Sequence, residues 1–250
     1  MILTAPAKLT LSLRVTGRRC DGLHLIEAEM VTVDLTDTVE VTDTGDGDHE
    51  SHLEVEGPYA EGVPTGPANL VLRALNSVGR SARVRLHKRI PHGAGLGGGS
   101  ADAAAILRWA GCSDRRLALA LGADVVFCLV GGHARVSGIG DVVEPLAPVA
   151  RTFTLMTPDL VVHTPAVYRA WDDLSSRRDG DTTASWSQTG NDLEPAALVV
   201  APELAGWRDQ LGEATGVRPR LAGSGATWFV EGAFPGVGRT VVRTWNPPEG

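Results

Sequence analysis

Cysteine is scarce: three occur in 250 residues. Cys20, Cys112 and Cys128 are odd in number and show no C-x-x-C spacing, which argues against a disulfide framework and against a cysteine metal site. They read as reduced, mostly buried thiols of a cytoplasmic protein. Positive charge is also short. Lys and Arg total 23 against 30 Asp and Glu, a formal charge of −7, which argues against non-specific nucleic-acid binding. No apolar run approaches the roughly 20 residues that cross a bilayer, so no membrane partner is expected. The N-terminus lacks a basic region followed by an apolar core, so no signal peptide is expected. There are no repeats or low-complexity tracts. The pair in His49-Glu50-Ser51-His52 sits in a polar, acidic stretch, and the cluster from Asp43 to Asp48 lacks the closing Glu of a calcium loop. Both read as solvated turns, so no metal is expected from a side-chain cluster. What remains is a chain that is 43% hydrophobic, enough for a substantial core, with 30 glycines and 15 prolines to turn it.

The glycines concentrate in one place. In Pro91-His92-Gly93-Ala94-Gly95-Leu96-Gly97-Gly98-Gly99-Ser100, five of the seven residues from Gly93 to Gly99 are glycine, and an Ala-rich helical run follows at once. A loop without side chains can turn its N–H groups inward and let a bulky anion approach. A helix beginning near Ser100 adds unpaired N–H groups and the positive end of its dipole. A flexible linker would not need a helix to begin inside it. Gly93, Gly95 and Gly98 formally satisfy G-x-G-x-x-G, but the lead-in Arg83-Val84-Arg85-Leu86-His87-Lys88 alternates instead of being continuously apolar. No lysine precedes Ser100, as the P-loop requires. The loop is therefore a third kind of phosphate cradle.

The remaining pattern is mixed. Leu9, Leu11, Leu13 and Val15 alternate and predict a strand with one face on the core. Val31, Val33, Leu35, Val39 and Val41 predict more strand, and Leu53 and Val55 a short one. Asn69 is a candidate N-cap for a helix to Val78. Ser113 or Asp114 can cap a helix to Leu121. Phe153 to Met156 reads as strand, Pro165 to Leu174 and Ala201 to Thr215 as helices, 175–190 as loop, and 221–230 as a glycine turn entering a strand. The order is not a strict βαβ alternation. It reads as α+β with layered sheets and a domain boundary near Pro148, giving domains over 1–148 and 149–250.

Three further features can act with the loop. Lys8 lies on the first strand, Asp124 opens an apolar segment, and Gly223-Ser224-Gly225 is a second bare turn. A phosphate cradle, a lysine and a carboxylate are the parts of a phosphoryl transferase. Taken alone, Lys8 reads equally as a strand-edge surface lysine and Asp124 as a helix cap.

Together, Ala5-Pro6-Ala7-Lys8-Leu9, the Pro91–Ser100 loop, Gly122-Ala123-Asp124-Val125 and Leu221-Ala222-Gly223-Ser224-Gly225 resemble the GHMP kinase superfamily. Thr16-Gly17-Arg18-Arg19, Asp21-Gly22-Leu23-His24, Lys88-Arg89-Ile90-Pro91 and Asn191-Asp192-Leu193-Glu194 resemble its branch acting on a cytidine-diphosphate-linked polyol in non-mevalonate isoprenoid synthesis. The likeness covers most of 1–232 in order. It implies a two-domain α+β fold with layered α/β sandwiches, a cleft between the domains, ATP as phosphoryl donor and Mg2+ with it. It implies that Asp124 is the general base and Lys8 its partner. Pro91, Gly93, Gly95, Leu96, Gly97, Gly98, Gly99 and Ser100 would wrap the phosphates, with Ser100 a possible Mg2+ contact. Thr10, His24, Tyr168, Gly223, Ser224 and Gly225 would face the substrate, with His24 hydrogen-bonding cytosine and Tyr168 stacking on it. The chain departs from the family where Thr10 replaces Asn, Leu23 replaces Tyr and Val126 replaces Pro, and its C-terminal domain is short. A homoserine or mevalonate type of kinase and a non-catalytic ligand-binding homologue are the alternatives.

Overall fold

Long alternating segments build the centre of the protein, seen in a computed structural model that describes residues 1–44, 50–176 and 190–245. The expected turn over 45–48, His49 and most of the 175–190 loop lie outside the described residues. β1 (Ile2–Arg18) and β2 (His24–Asp43) pair antiparallel, from Ile2 opposite Glu40 to Arg18 opposite His24. The other edge of β2 pairs in its first half with β5 (His133–Gly138) and in its second with β4 (Ala82–His87). β3 (His52–Glu56) runs parallel to β4, and β6 (Val142–Pro145) pairs with β5, completing six strands. The parallel pair is possible because α1 (Leu70–Ser77) carries the chain back between β3 and β4.

Capping occurs where the sequence expects it. Asn69 accepts the N–H of Val71 at 2.8 Å to start α1, and Asp114 accepts that of Arg116 at 2.8 Å to start α3 (Arg115–Leu121). α2 (Gly98–Trp109) begins two residues before Ser100, because Gly97 takes a left-handed turn at φ 69°. With α4 (Ala123–Val130) these helices share one core with the sheet. The small side chains of α2 let it lie close against β1, with Ala101 and Ala103 to Ala105 buried.

A second sheet runs in the order β10 (Thr240–Arg243), β7 (Thr152–Met156), β9 (Trp228–Glu231), β8 (Arg220–Leu221). α5 (Thr164–Ser176), α6 (Glu194–Val200) and α7 (Leu204–Thr215) accompany it. Ala7, Leu9, Leu11, Val31 and Val33 form a separate core with Phe153, Leu155 and Phe229 of this sheet. The expectation that Leu9, Leu11, Leu13 and Val15 share one core face is corrected here: Leu13 and Val15 belong to the helix-covered core instead. The register shifts between Thr10 and Ser12, and an inserted residue exchanges the faces of a strand. β1 is thus buried on both sides from Ala5 to Thr10, which draws Lys8 inside. The cysteines differ from expectation in one respect: Cys128 is buried and Cys112 half-buried, but Cys20 is exposed.

Candidate active site

Lys8 is 5% exposed, on the pleat opposite Leu9. Its N–H donates to the Leu96 carbonyl at 3.0 Å, tying β1 to the glycine loop. Its ammonium donates to Thr10 Oγ1 at 3.2 Å and lies 3.5 Å from Asp124 Oδ2. Asp124 stands in the first turn of α4, after Gly122. Its side chain is 41% exposed, so the pair joins a sheltered cation to a reachable carboxylate.

The loop between β4 and α2 is held by glycine geometry. Gly93, Gly95 and Gly97 have φ of 69°, 78° and 69°, a region that L side chains rarely enter. A Cβ on Gly95 would lie 2.6 Å from the Gly225 carbonyl and 2.7 Å from that of Ala222, so the two glycine turns press on each other. Thr227 reinforces the contact, its Oγ1 donating to the Ala94 carbonyl at 2.8 Å. α2 has no side-chain cap, and helix geometry leaves the N–H groups of Gly98, Gly99 and Ser100 without intrahelical acceptors. These residues line one cleft with Pro91, Gly93, Gly95, Asp102 and Asp124. Leu96 differs: it is 1% exposed and packs in the inter-sheet core, so its side chain does not line the cleft.

Under the loop lies a charge cluster that sequence reasoning missed. Lys88 Nζ donates to Asp37 and, at 2.8 Å, to Asp102 of α2. Asp37 also accepts the N–H groups of Arg89 and Ile90 at 2.5 and 2.8 Å, fixing the start of the loop. Burial pushes the Asp102 carboxyl up to about 7 despite Lys88. Lys88 recurs in the Lys88-Arg89-Ile90-Pro91 block, the one sequence signal for this cluster.

The second turn is clamped by Asn191, another group whose role the sequence does not reveal. Its side-chain amide donates to the Leu221 and Gly223 carbonyls at 2.8 and 2.7 Å, and its Oδ1 accepts the N–H of Leu193 at 3.0 Å. Ser224 Oγ lies 2.8 Å from Thr164 Oγ1 at the start of α5. Thr10, Gly223 and Ser224 line a cleft with Lys8, Asp124 and Tyr168.

His24 and Tyr168 meet, though one opens β2 and the other lies on α5. Their rings stack at 4.6 Å and 23°, so Tyr168 presents one face to the imidazole. They line a cleft with Leu23, which is 48% exposed. Asp124 is shared by the first two clefts and Tyr168 by the last two, so the three are contiguous. Burial, with the nearby Asp124 charge, pushes the Tyr168 phenol up to about 12, keeping it a neutral ring. The Cys128 thiol is likewise pushed up to about 12 by burial, which makes it a poor nucleophile. No group of three metal-ligating side chains occurs among the described residues.

Two sheets joined through a buried β1, with a glycine loop opening onto a Lys–Asp pair, are the arrangement that the resemblance to the GHMP kinases implies. The sequence profile "GHMP kinases N terminal domain" matches residues 65–142. A 4-diphosphocytidyl-2-C-methyl-D-erythritol kinase from Paracoccus denitrificans is 39% identical over 90% of this chain and 84% of its own. Its counterpart from Ruegeria pomeroyi is 39% identical over 94% and 89%. A crystal structure of 4-(cytidine 5'-diphospho)-2C-methyl-D-erythritol kinase superposes with a TM-score of 0.72 at 30% identity, covering 98% of this chain and all of that one (100%). Methanococcus jannaschii mevalonate kinase shares the fold at 12% identity, with a TM-score of 0.64 and 98% coverage of each chain. The chain belongs to the 4-diphosphocytidyl-2-C-methyl-D-erythritol kinase family.

Proposed function

We propose that this chain transfers the γ-phosphoryl group of ATP to a hydroxyl of 4-diphosphocytidyl-2-C-methyl-D-erythritol. The observation that carries the reading is the Lys8–Asp124 pair, 3.5 Å apart, between the glycine-loop cleft and the His24 cleft. A donor in the first cleft and an acceptor in the second would meet at Asp124.

The roles follow from the groups present. The N–H groups of Gly98, Gly99 and Ser100 receive the phosphates, and bare glycines let them approach. Asp124 accepts the proton of the attacking hydroxyl as that oxygen bonds to the γ-phosphorus and the bond to the β-phosphate oxygen breaks. Lys8 neutralises charge beside the reacting oxygens and orients the carboxylate, while Thr10 fixes the ammonium. Gly223, Ser224 and Gly225 form the floor, and His24 and Tyr168 receive the cytosine. Mg2+ suits a site with few protein oxygens, since it keeps waters and phosphates as ligands. Ser100, which lines both the loop cleft and the Lys8–Asp124 cleft, would offer it a hydroxyl. Bound there, the ion neutralises phosphate charge. The division into domains over 1–148 and 149–250 is supported by the change of sheet between Pro145 and Thr152. The low cysteine content supports the cytoplasm as the site of action.

The test is phosphotransfer from Mg-ATP to 4-diphosphocytidyl-2-C-methyl-D-erythritol, with homoserine and mevalonate as competing acceptors. Turnover on the cytidyl acceptor alone is expected. Turnover on either competitor but not on it overturns the substrate, and no ATP turnover with any of the three overturns the kinase reading.

A further inference from the structure

The Asp172 carboxylate hydrogen-bonds the His24 imidazole. Its Oδ1 lies 2.7 Å from His24 Nε2, and its Oδ2 lies 3.4 Å from a terminal nitrogen of Arg18. Trp171 meets the imidazole edge-on at 5.5 Å and 86°, while Tyr168 stacks on it. Tyr168, Trp171 and Asp172 share one face of α5, at i, i+3 and i+4. The His24 side chain is 9% exposed. One helix face thus holds one imidazole with two rings and a carboxylate, beside the cleft that His24 and Asp172 both line.

An ionised carboxylate only accepts hydrogen bonds, so the ring nitrogen facing it carries the proton. That nitrogen is Nε2, and in the neutral imidazole Nδ1 is then a bare lone pair. We propose that Asp172 is a positioning residue that sets the His24 tautomer, and that the resulting Nδ1 acceptor selects a pyrimidine with a 4-amino donor over one with a 4-oxo acceptor. The proposal rests on reading the His24 cleft as the nucleobase subsite. The amino group of cytosine donates to Nδ1, whereas the 4-oxygen of uracil would set two acceptors against each other.

Asp172→Asn reverses the arrangement. Arg18 beside the Oδ2 position draws the new amide oxygen, which turns the amide NH2 toward His24. Nε2 then accepts, the proton moves to Nδ1, and the acceptor offered to the base becomes a donor. CDP and UDP affinities are measured by calorimetry on the full-length protein and on Asp172→Asn, Asp172→Ala and His24→Ala. The CDP preference is expected to fall about tenfold or more in Asp172→Asn, the scale of one hydrogen bond exchanged for a mismatch. Asp172→Ala, which allows either tautomer, loses less, and ATP affinity stays unchanged in all. Nitrogen NMR of the ring is expected to show the proton on Nε2 in the wild type and on Nδ1 in Asp172→Asn, a readout that a merely structural role would not move. A folded Asp172→Asn with the wild-type CDP preference overturns the role of Asp172 and leaves the subsite standing if His24→Ala loses that preference. If His24→Ala keeps it too, or the wild type shows none, the subsite reading itself falls, and the proposal with it.

Discussion

A Cβ on Gly97 would stand 2.8 Å from Cγ of Lys8. The glycine loop and the buried lysine therefore share one packing surface, and a side chain there intrudes on the lysine as well as on the anion. Gly97→Ala is expected to raise KM for ATP and to lower kcat, with about 1 kcal/mol of backbone strain because φ is positive. Gly206 of α7 is the control, since its Cβ would meet nothing within 4 Å. Gly206→Ala is expected to keep stability, measured by thermal unfolding, and to change kcat far less. Equal losses of kcat at the two positions would contradict the shared surface.

Asp124→Asn removes the proton acceptor and keeps the shape. Its side chain is 41% exposed, so no large stability change is expected. The expected outcome is a kcat lowered roughly 10²-fold or more, with ATP affinity retained. Near-normal turnover by the folded variant would remove Asp124 from the chemistry.

Asn191 satisfies two carbonyls and one N–H while 2% exposed. Asn191→Ala orphans all three and is expected to cost roughly 2–4 kcal/mol in denaturant unfolding. Asn191→Asp is expected to be worse, because a carboxylate cannot donate to the carbonyls of Leu221 and Gly223. A harmless Asn191→Asp would show that the clamp is dispensable.

The Asp102 carboxyl is raised by burial from its ordinary 3.8 to about 7. The folded state therefore holds this proton more tightly than the unfolded chain. Its contribution to stability is complete below about pH 4 and is lost as pH rises toward 7. Lys88 is also shifted: burial lowers it, but Asp102 and Asp37 more than offset that and hold it above 10.5. Its contribution is therefore intact throughout the same window. Asp102→Asn keeps an oxygen for Lys88 and is expected to flatten the fall in unfolding free energy between pH 5 and about 8. Parallel curves for the two proteins would refute the assignment.

Local backbone demands were legible without any structure. The density of glycine from Gly93 to Gly99 announced positive φ angles and close approach, and the start of α2 inside that run announced unpaired N–H groups. Asn69 and Asp114 cap helices because a side-chain oxygen beside the first turn is a local matter. Alternation announced β1, β2 and β4. Other features depended on residues far apart in the chain. A single inserted residue between Thr10 and Ser12 sent Leu9 and Leu13 into different cores, and nothing in the apolar pattern marks it. β6 and β10 span four residues each, too few for a clear period. The pairings of Lys8 with Asp124, His24 with Asp172, and Asn191 with Gly223 are tertiary decisions. A residue type records what a side chain can do, whereas its partner is chosen by how the two sheets stack and which helix face they leave for it.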